Sequence, residues 1–410
     1  MEKTASHRVV IVGAGQASLS CAAKLRALGF AGPITLIGDE PHLPYQRPPL
    51  SKKYLTGEMD AERLLLRPPE WFREQNVTCL TGERAASIDR AAKTVTLSSG
   101  QTFGYDSLLI STGCRPRMLP QAMTAGLSCI FTVRNIADID LMACEFKPGA
   151  RAVVIGGGYI GLEAASVAAK RGMSVTILEA LPRILARVAC PETADYFVSL
   201  HQGHGVDILT GAKLEALNGR DGRVSEAVLS DGRVLPCDLV IAGIGVVPNG
   251  EIAAAAGLAV DNGIVVDEYC RTTDVSILAA GDCTNFPHHG SRLRLESVPH
   301  AIAHGEAAAL TIAGQPTPYV AKPWFWSDQY DIKLQIAGLN QGYDRVVTRG
   351  PGPSGDYSVW YFEGGKLLAV DAMNAAAAYM VGKRLIESGM TVSPERVADL
   401  SQDMKSWLKG

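Results

Sequence analysis

Two glycine-rich turns with the same grammar constrain this chain more than any other feature. Gly13-Ala14-Gly15-Gln16-Ala17-Ser18 and Gly156-Gly157-Gly158-Tyr159-Ile160-Gly161 each end an apolar run and open a helix of small residues. The runs are Arg8-Val9-Val10-Ile11-Val12 and Ala152-Val153-Val154-Ile155. Glycines at this spacing permit a tight turn and let a pyrophosphate approach the backbone at a helix N-terminus. A second apolar run follows each turn. Ile34-Thr35-Leu36-Ile37-Gly38 ends at Asp39 and Val175-Thr176-Ile177-Leu178 ends at Glu179, where a carboxylate can bind ribose hydroxyls. Repetition of strand, turn, helix, strand and acid predicts two dinucleotide-binding units and two nucleotide cofactors.

A chain of 410 residues with 47% hydrophobic and 20% charged residues is too apolar to be disordered and long enough for about three domains. A net charge of -3 gives no global attraction to nucleic acid or anionic membrane. Residues 1–8 hold no apolar signal, and no segment approaches the roughly 18 apolar residues of a membrane span, so the expectation is a cytoplasmic protein. The nine cysteines are scattered, with no Cys-x-x-Cys pair to carry electrons as a dithiol and no zinc or iron–sulfur spacing.

The turns set the domain expectation. Residues 1–112 and 246–320 form a discontinuous first nucleotide domain, residues 113–245 the second, and residues 321–410 a third. Ser111-Thr112-Gly113 and Val240-Ile241-Ala242-Gly243-Ile244-Gly245 mark the crossings. Ser276-Ile277-Leu278-Ala279-Ala280-Gly281-Asp282 places an acid after a buried strand, which suits the polyol chain of a flavin. Beyond residue 320, Trp324-Phe325-Trp326 and alternating runs near Lys333–Ala337 and Tyr357–Phe362 predict an α+β domain of antiparallel strands with a C-terminal helix or two.

Arg47-Pro48-Pro49-Leu50-Ser51-Lys52, the second fingerprint through Leu162-Glu163, Gly243–Asn249, Ala280-Gly281-Asp282-Cys283, Glu296-Ser297-Val298-Pro299 and Pro323–Tyr330 together carry a resemblance. Over nearly its whole length the chain resembles the FAD- and NADH-dependent ferredoxin reductases of bacterial oxygenase systems, of the putidaredoxin reductase type. The resemblance implies an α/β fold of glutathione reductase-like architecture, with two Rossmann-like domains and a C-terminal α+β domain. It also implies hydride transfer from NADH to FAD, then single electrons to a [2Fe–2S] ferredoxin that serves a cytochrome P450 or related oxygenase.

By the same resemblance Gly13, Gly15, Ala17, Asp39, Arg47, Lys52, Ala85, Arg134, Asp282, Val298 and Trp326 would contact FAD. Gly156, Gly158, Tyr159, Ile160, Gly161, Glu163, Glu179 and Gly245 would contact NADH. Lys52 and Glu163 are the expected catalytic pair at the flavin's reacting edge. Simpler alternatives stand beside these roles: a helix-start lysine for Lys52, a first-turn helix acid for Glu163, a surface ion pair for Arg47, and packing for Trp326. Glu179 favours NADH over NADPH because it repels a 2′-phosphate, while Arg183 and Arg187 weaken that preference. Ser18 replaces the usual third glycine. His201, His204, His288, His289, His300 and His304 have no role in the family and are expected to lie at the surface or be structural. A basic patch from Arg292, Arg294, Lys322, Lys383 and Arg384 would receive the ferredoxin. The other readings are a rubredoxin, quinone or small-radical reductase, and a flavoprotein whose NADH-driven change of shape regulates partner binding.

Overall fold

The computed structural model describes residues 6–351 and 355–409. They form two compact units. The first contains the chain through Arg47, Asp60–Arg115 and Val246–Lys322. The second contains Pro48–Met59, Pro116–Gly245 and the chain from Pro323 onward.

The first unit is built on a five-stranded parallel sheet, in the order Ile277–Ala279, Ser107–Ile110, Val9–Val12, Ile34–Gly38, Val77–Thr81. Its inner strands are continuous runs of apolar residues because both faces are covered. Val9, Ile11, Leu36, Leu109 and Leu278 pack with Ala17, Cys21 and Leu25 of the helix Gln16–Ala27 and with Ala308 and Ile312 of the helix Val298–Ile312. A three-stranded antiparallel sheet, Ala85–Asp89, Thr94–Leu97 and Thr102–Gly104, is appended.

The second unit repeats the plan. Its parallel sheet runs Asp207–Thr210, Ser174–Glu179, Arg151–Ile155, Leu239–Ala242, Ile130–Phe131. In both sheets the strand before the glycine turn is central, and from it the chain adds strands first on one side and then on the other, the edge strand Ile130–Phe131 of the second sheet coming earlier in the chain. The reversal leaves a crevice at the carboxyl ends of the two middle strands, the place where open α/β sheets bind ligands.

The same unit carries a five-stranded antiparallel sheet, Trp324–Gln329, Ile332–Gly338, Lys366–Met373, Tyr357–Glu363 and Arg345–Arg349. The helix Ala376–Ser388 covers it, burying Ala378, Tyr379, Val381 and Leu385 against Trp360 and Val370. Two parallel nucleotide-type sheets and a C-terminal antiparallel sheet are the fold class that the sequence predicts. Among the described residues no helix is long and apolar enough to cross a membrane.

Candidate active site

Each glycine turn sits where the crevice begins. At Gly13, φ is +114°, and a Cβ there would lie 2.3 Å from the Ser111 carbonyl oxygen. At Gly156, φ is +105°, and a Cβ would lie 2.4 Å from that of Gly243. Only glycine satisfies both demands. Two residues further along each turn the situation reverses, for a Cβ on Gly15 or Gly158 would meet nothing within 4 Å. These two residues cap the helices Gln16–Ala27 and Tyr159–Lys170, and neither helix has an acid in its first turn. Open space, aligned amides and no acid in the first helical turn suit a pyrophosphate.

The two turns differ at the third position. Gly161 lies against the Gly156 carbonyl, 2.1 Å from where its Cβ would be. Ser18, in the equivalent place, is buried, accepts from the Gly15 N–H at 3.2 Å and bonds Ser111 Oγ at 2.8 Å. Its hydroxyl ties the turn to Ser111, just past the neighbouring strand Ser107–Ile110.

The ribose-binding candidates also differ. Asp39 is exposed just past the strand Ile34–Gly38. Glu179 ends its strand, and its two oxygens accept from Gly157 N–H and Leu181 N–H, both at 2.8 Å. Glu179 therefore braces the fingerprint turn as well as presenting a carboxylate beside it. Tyr159 turns its hydroxyl inward to a buried position without a hydrogen-bond partner among the described residues, and burial pushes its ionisation well above the usual range. Ile160 is exposed, and Gly245 follows the strand Leu239–Ala242 with open space at its Cα.

Of the flavin candidates, Gly13, Gly15, Ala17, Asp39, Arg47, Ala85, Asp282 and Val298 belong to the first unit. Arg47 pairs with Glu40 at 2.5 Å and lies over the Tyr45 ring. Burial lowers its affinity for its proton, but Tyr45, Glu40 and Asp282 outweigh that and raise it. Ala85 opens its strand, and Val298 follows the Ser297 cap of its helix. Lys52, Arg134 and Trp326 belong to the second unit. Arg134 precedes the Asn135 cap of the helix Ile136–Ala143, and Trp326 packs 5.5 Å from Trp324.

Lys52 and Glu163 meet. Their charged atoms are 2.9 Å apart, and the side chains are only 18% and 8% exposed. Lys52 lies in a widened turn, Leu50–Tyr54, where Tyr54 and Leu55 N–H reach back five residues to Pro49 and Leu50. Such turns recur at functional sites. Glu163 is the fifth residue of its helix, beyond the first turn, so a helix-dipole role does not explain it. Its carboxylate also accepts from Ser51 Oγ at 3.0 Å, Ser327 Oγ at 2.8 Å and Asp328 N–H at 3.3 Å. Sequence reasoning assigned no role to Ser51, Ser327 or Asp328. The available signal was adjacency, since Ser51 abuts Lys52 and Ser327 abuts Trp326.

Three of the five proposed docking cations have partners within their own units. Arg294 pairs with Glu296 at 2.5 Å, Arg292 donates to Val266 O at 2.7 Å, and Lys383 lies over Trp324. Lys322 and Arg384 are exposed.

Residues 7–305 match the family described as pyridine nucleotide-disulphide oxidoreductase, and residues 324–408 match the reductase C-terminal domain. The chain belongs to the pyridine nucleotide-disulphide oxidoreductases. Rhodocoxin reductase of Rhodococcus erythropolis is 42% identical over 97% of this oxidoreductase and 93% of its own length. Putidaredoxin reductase CamA of Pseudomonas putida is 42% identical over 98% and 96%. The crystal structure of a covalent putidaredoxin reductase–putidaredoxin complex superposes with a TM-score of 0.96 at 40% identity, covering 99% of each chain. The resemblance read from the motifs is borne out over the full length. The disulphide of the family name has no counterpart among the described residues of this oxidoreductase, whose cysteines form no disulfide. Burial pushes the Cys21, Cys270 and Cys283 thiols above their usual range, away from the thiolate that redox exchange needs.

Proposed function

We propose that this oxidoreductase takes hydride from NADH on a bound FAD and passes single electrons to a [2Fe–2S] ferredoxin serving a cytochrome P450 or related oxygenase. The observation that carries the reading is the full-length match to putidaredoxin reductase, reductase C-terminal domain included. The open turns at Gly15 and Gly158 are consistent with two dinucleotides. FAD, when bound, supplies the exchange between a two-electron donor and a one-electron acceptor.

The chain's own residues would bind and orient. Gly13, Gly15 and Ala17 would admit the FAD pyrophosphate, with Asp39 toward the ribose, Arg47 toward phosphate charge and Asp282 toward the polyol. Gly156, Gly158 and Gly161 would admit NADH, with Glu179 accepting from its ribose hydroxyls. Lys52 would favour negative charge on the reduced ring, and Glu163 would hold that ammonium in place. Four donors saturate Glu163, so it serves as a fixed anion and orienter rather than a proton acceptor.

Anaerobic stopped-flow tests this. The holoprotein should bleach rapidly with NADH, slowly with NADPH, and then reduce an oxidised [2Fe–2S] ferredoxin. Rapid bleaching followed by no transfer to any ferredoxin would keep the cofactors and reject the acceptor.

A further inference from the structure

The Glu163 carboxylate is the end of a longer chain of buried polar groups in the second unit. Ser327 Oγ lies 2.8 Å from Glu163 Oε1, Gln329 Nε2 lies 3.1 Å from Ser327 Oγ, and His201 Nε2 lies 2.8 Å from Gln329 Oε1. Tyr330 Oη lies 3.3 Å from His201 Nδ1. Glu163, Ser327, Gln329 and His201 are all buried. Among these four, burial leaves little room for water to replace a lost bond.

The order of donation follows from one fact. An ionised carboxylate only accepts, so Ser327 spends its single proton on Glu163 and must accept from its other neighbour. Gln329 therefore presents its NH₂ to Ser327 and its carbonyl to His201. His201 must then donate from Nε2, which leaves Nδ1 bare, and Tyr330 supplies the hydroxyl proton to it. Burial lowers the His201 pKa to about 4, so the imidazole is neutral near pH 7 and has one proton to place.

We infer that the chain Tyr330→His201→Gln329→Ser327→Glu163 runs one way, and that His201 is a positioning residue for the Lys52–Glu163 pair. Its functional part rests on the role proposed above for that pair. Tyr330, at the far end, is held from a second side. Tyr330 has a φ of +56°, a conformation costly for an aromatic residue. The His204 ring stacks on it at 3.7 Å, and Lys170 donates to its carbonyl at 2.9 Å with the ammonium 5.8 Å from its ring. Without His201 donating, the Gln329 amide is free to turn over. Ser327 could then swing away from Glu163, and the carboxylate that holds Lys52 would lose its best-placed neutral donor.

Long-range proton–nitrogen NMR of the histidine-labelled holoprotein reads the direction itself. His201, assigned by the signal missing in His201→Leu, should show the Nε2–H tautomer at pH 7. Glu163→Gln supplies an amide that can donate to Ser327, so the chain can reverse and the Nδ1–H form should appear. An Nδ1–H or doubly protonated His201 in the wild type would overturn the direction, whatever the function. An unchanged tautomer in Glu163→Gln would overturn the dependence on the carboxylate.

Stopped-flow flavin reduction reads the consequence. His201→Leu should slow it about tenfold with a smaller change in NADH affinity, and His201→Gln, which keeps a nitrogen donor near Nε2, should recover to within about threefold. Wild-type rates in both would remove His201 from the site. Should Glu163→Gln also reduce at the wild-type rate, the role of the pair itself fails, while the tautomer result stands by itself. Tyr330→Phe provides a variant that leaves His201 in place: the carboxylate still sets the order, so Nε2–H should persist while the Nδ1 resonance moves on losing its donor, and an unmoved Nδ1 resonance would remove Tyr330 from the chain.

Discussion

The Lys52–Glu163 pair is asymmetric in its support, and that makes its two halves separable. Lys52→Ala leaves the carboxylate with Ser51, Ser327 and the Asp328 N–H. Glu163→Ala leaves the ammonium with the Pro48 carbonyl at 3.4 Å and Asp328 at 4.0 Å. Stranding a buried charge costs about 3–5 kcal/mol when nothing else satisfies it. Glu163→Ala, whose ammonium keeps only these two longer contacts, should therefore destabilise by about 2–3 kcal/mol and Lys52→Ala by less than half of that, read from urea midpoints of the holoproteins. The reverse order would mean that the lysine holds the glutamate. In stopped-flow, Lys52→Ala should slow flavin reduction by about tenfold or more while NADH binding weakens less, and an unchanged rate would take Lys52 out of the mechanism. Glu179→Ala should raise the NADH requirement about tenfold at unchanged flavin content, because the carboxylate is lost to the ribose and its brace is lost to Gly157. Unaltered NADH kinetics would end the ribose role.

At the scale of elements, close helix packing was written in small residues. A Cβ on Gly305, in the helix Val298–Ile312, would lie 2.3 Å from the Ala17 carbonyl of the helix Gln16–Ala27. Gly305→Ala must push the first fingerprint helix away, which overpacked cores show costs about 1–3 kcal/mol. Weaker FAD retention and a lower melting temperature should appear together, and a variant unchanged in both would mean that the helices slide freely. The elements around the turns were legible because both parallel sheets use continuous apolar strands bounded by glycine, a pattern that needs no tertiary knowledge. Val9–Val12, Ile34–Gly38, Arg151–Ile155 and Leu239–Ala242 lie where their residues predict. The proline-rich Arg47–Lys52 run gave no such sign of its widened turn. Nor could spacing show that Ser51, Ser327 and Gln329 line up behind Glu163, since contacts 112 and 164 residues apart leave no local periodicity. The lack of any ligand spacing was legible for the histidines, which the sequence leaves as surface or structural. The order imposed on His201 was not, because it follows from a neighbour's charge.

For the whole molecule, buried titratable groups decide how it responds to acid, and they are divided unequally between the units. In the first, His300 is lowered to about 4 by burial and His304 is pushed well below its usual value by burial and by His300. A histidine neutral in the fold and protonated near 6.5 when unfolded binds fewer protons when native, so its contribution is present above pH 6.5 and fades as pH falls toward 4. At ~1.4 kcal/mol for each unit of separation, His300 withdraws about 3 kcal/mol, and the lowering of His304 acts in the same direction. The second unit has His201, with a loss of similar size. It also has Asp371, which accepts from Thr193 at 2.8 Å and from Tyr361 and is raised by burial to about 6. There the sign is opposite. The folded state binds the extra proton between about pH 6 and 4, so acidification restores about 3 kcal/mol and offsets His201. The first unit should therefore open first. Hydrogen exchange of the holoprotein at pH 7 and pH 5, corrected for intrinsic rates, should show Val9–Val12 and Ser107–Ile110 losing more protection than Ile332–Gly338 and Lys366–Met373. Asp371→Asn, which cannot take up the proton, should remove the offset and bring the second unit's loss up to that expected for His201. Equal loss in both units of the wild type would mean that these buried groups do not set the acid limit.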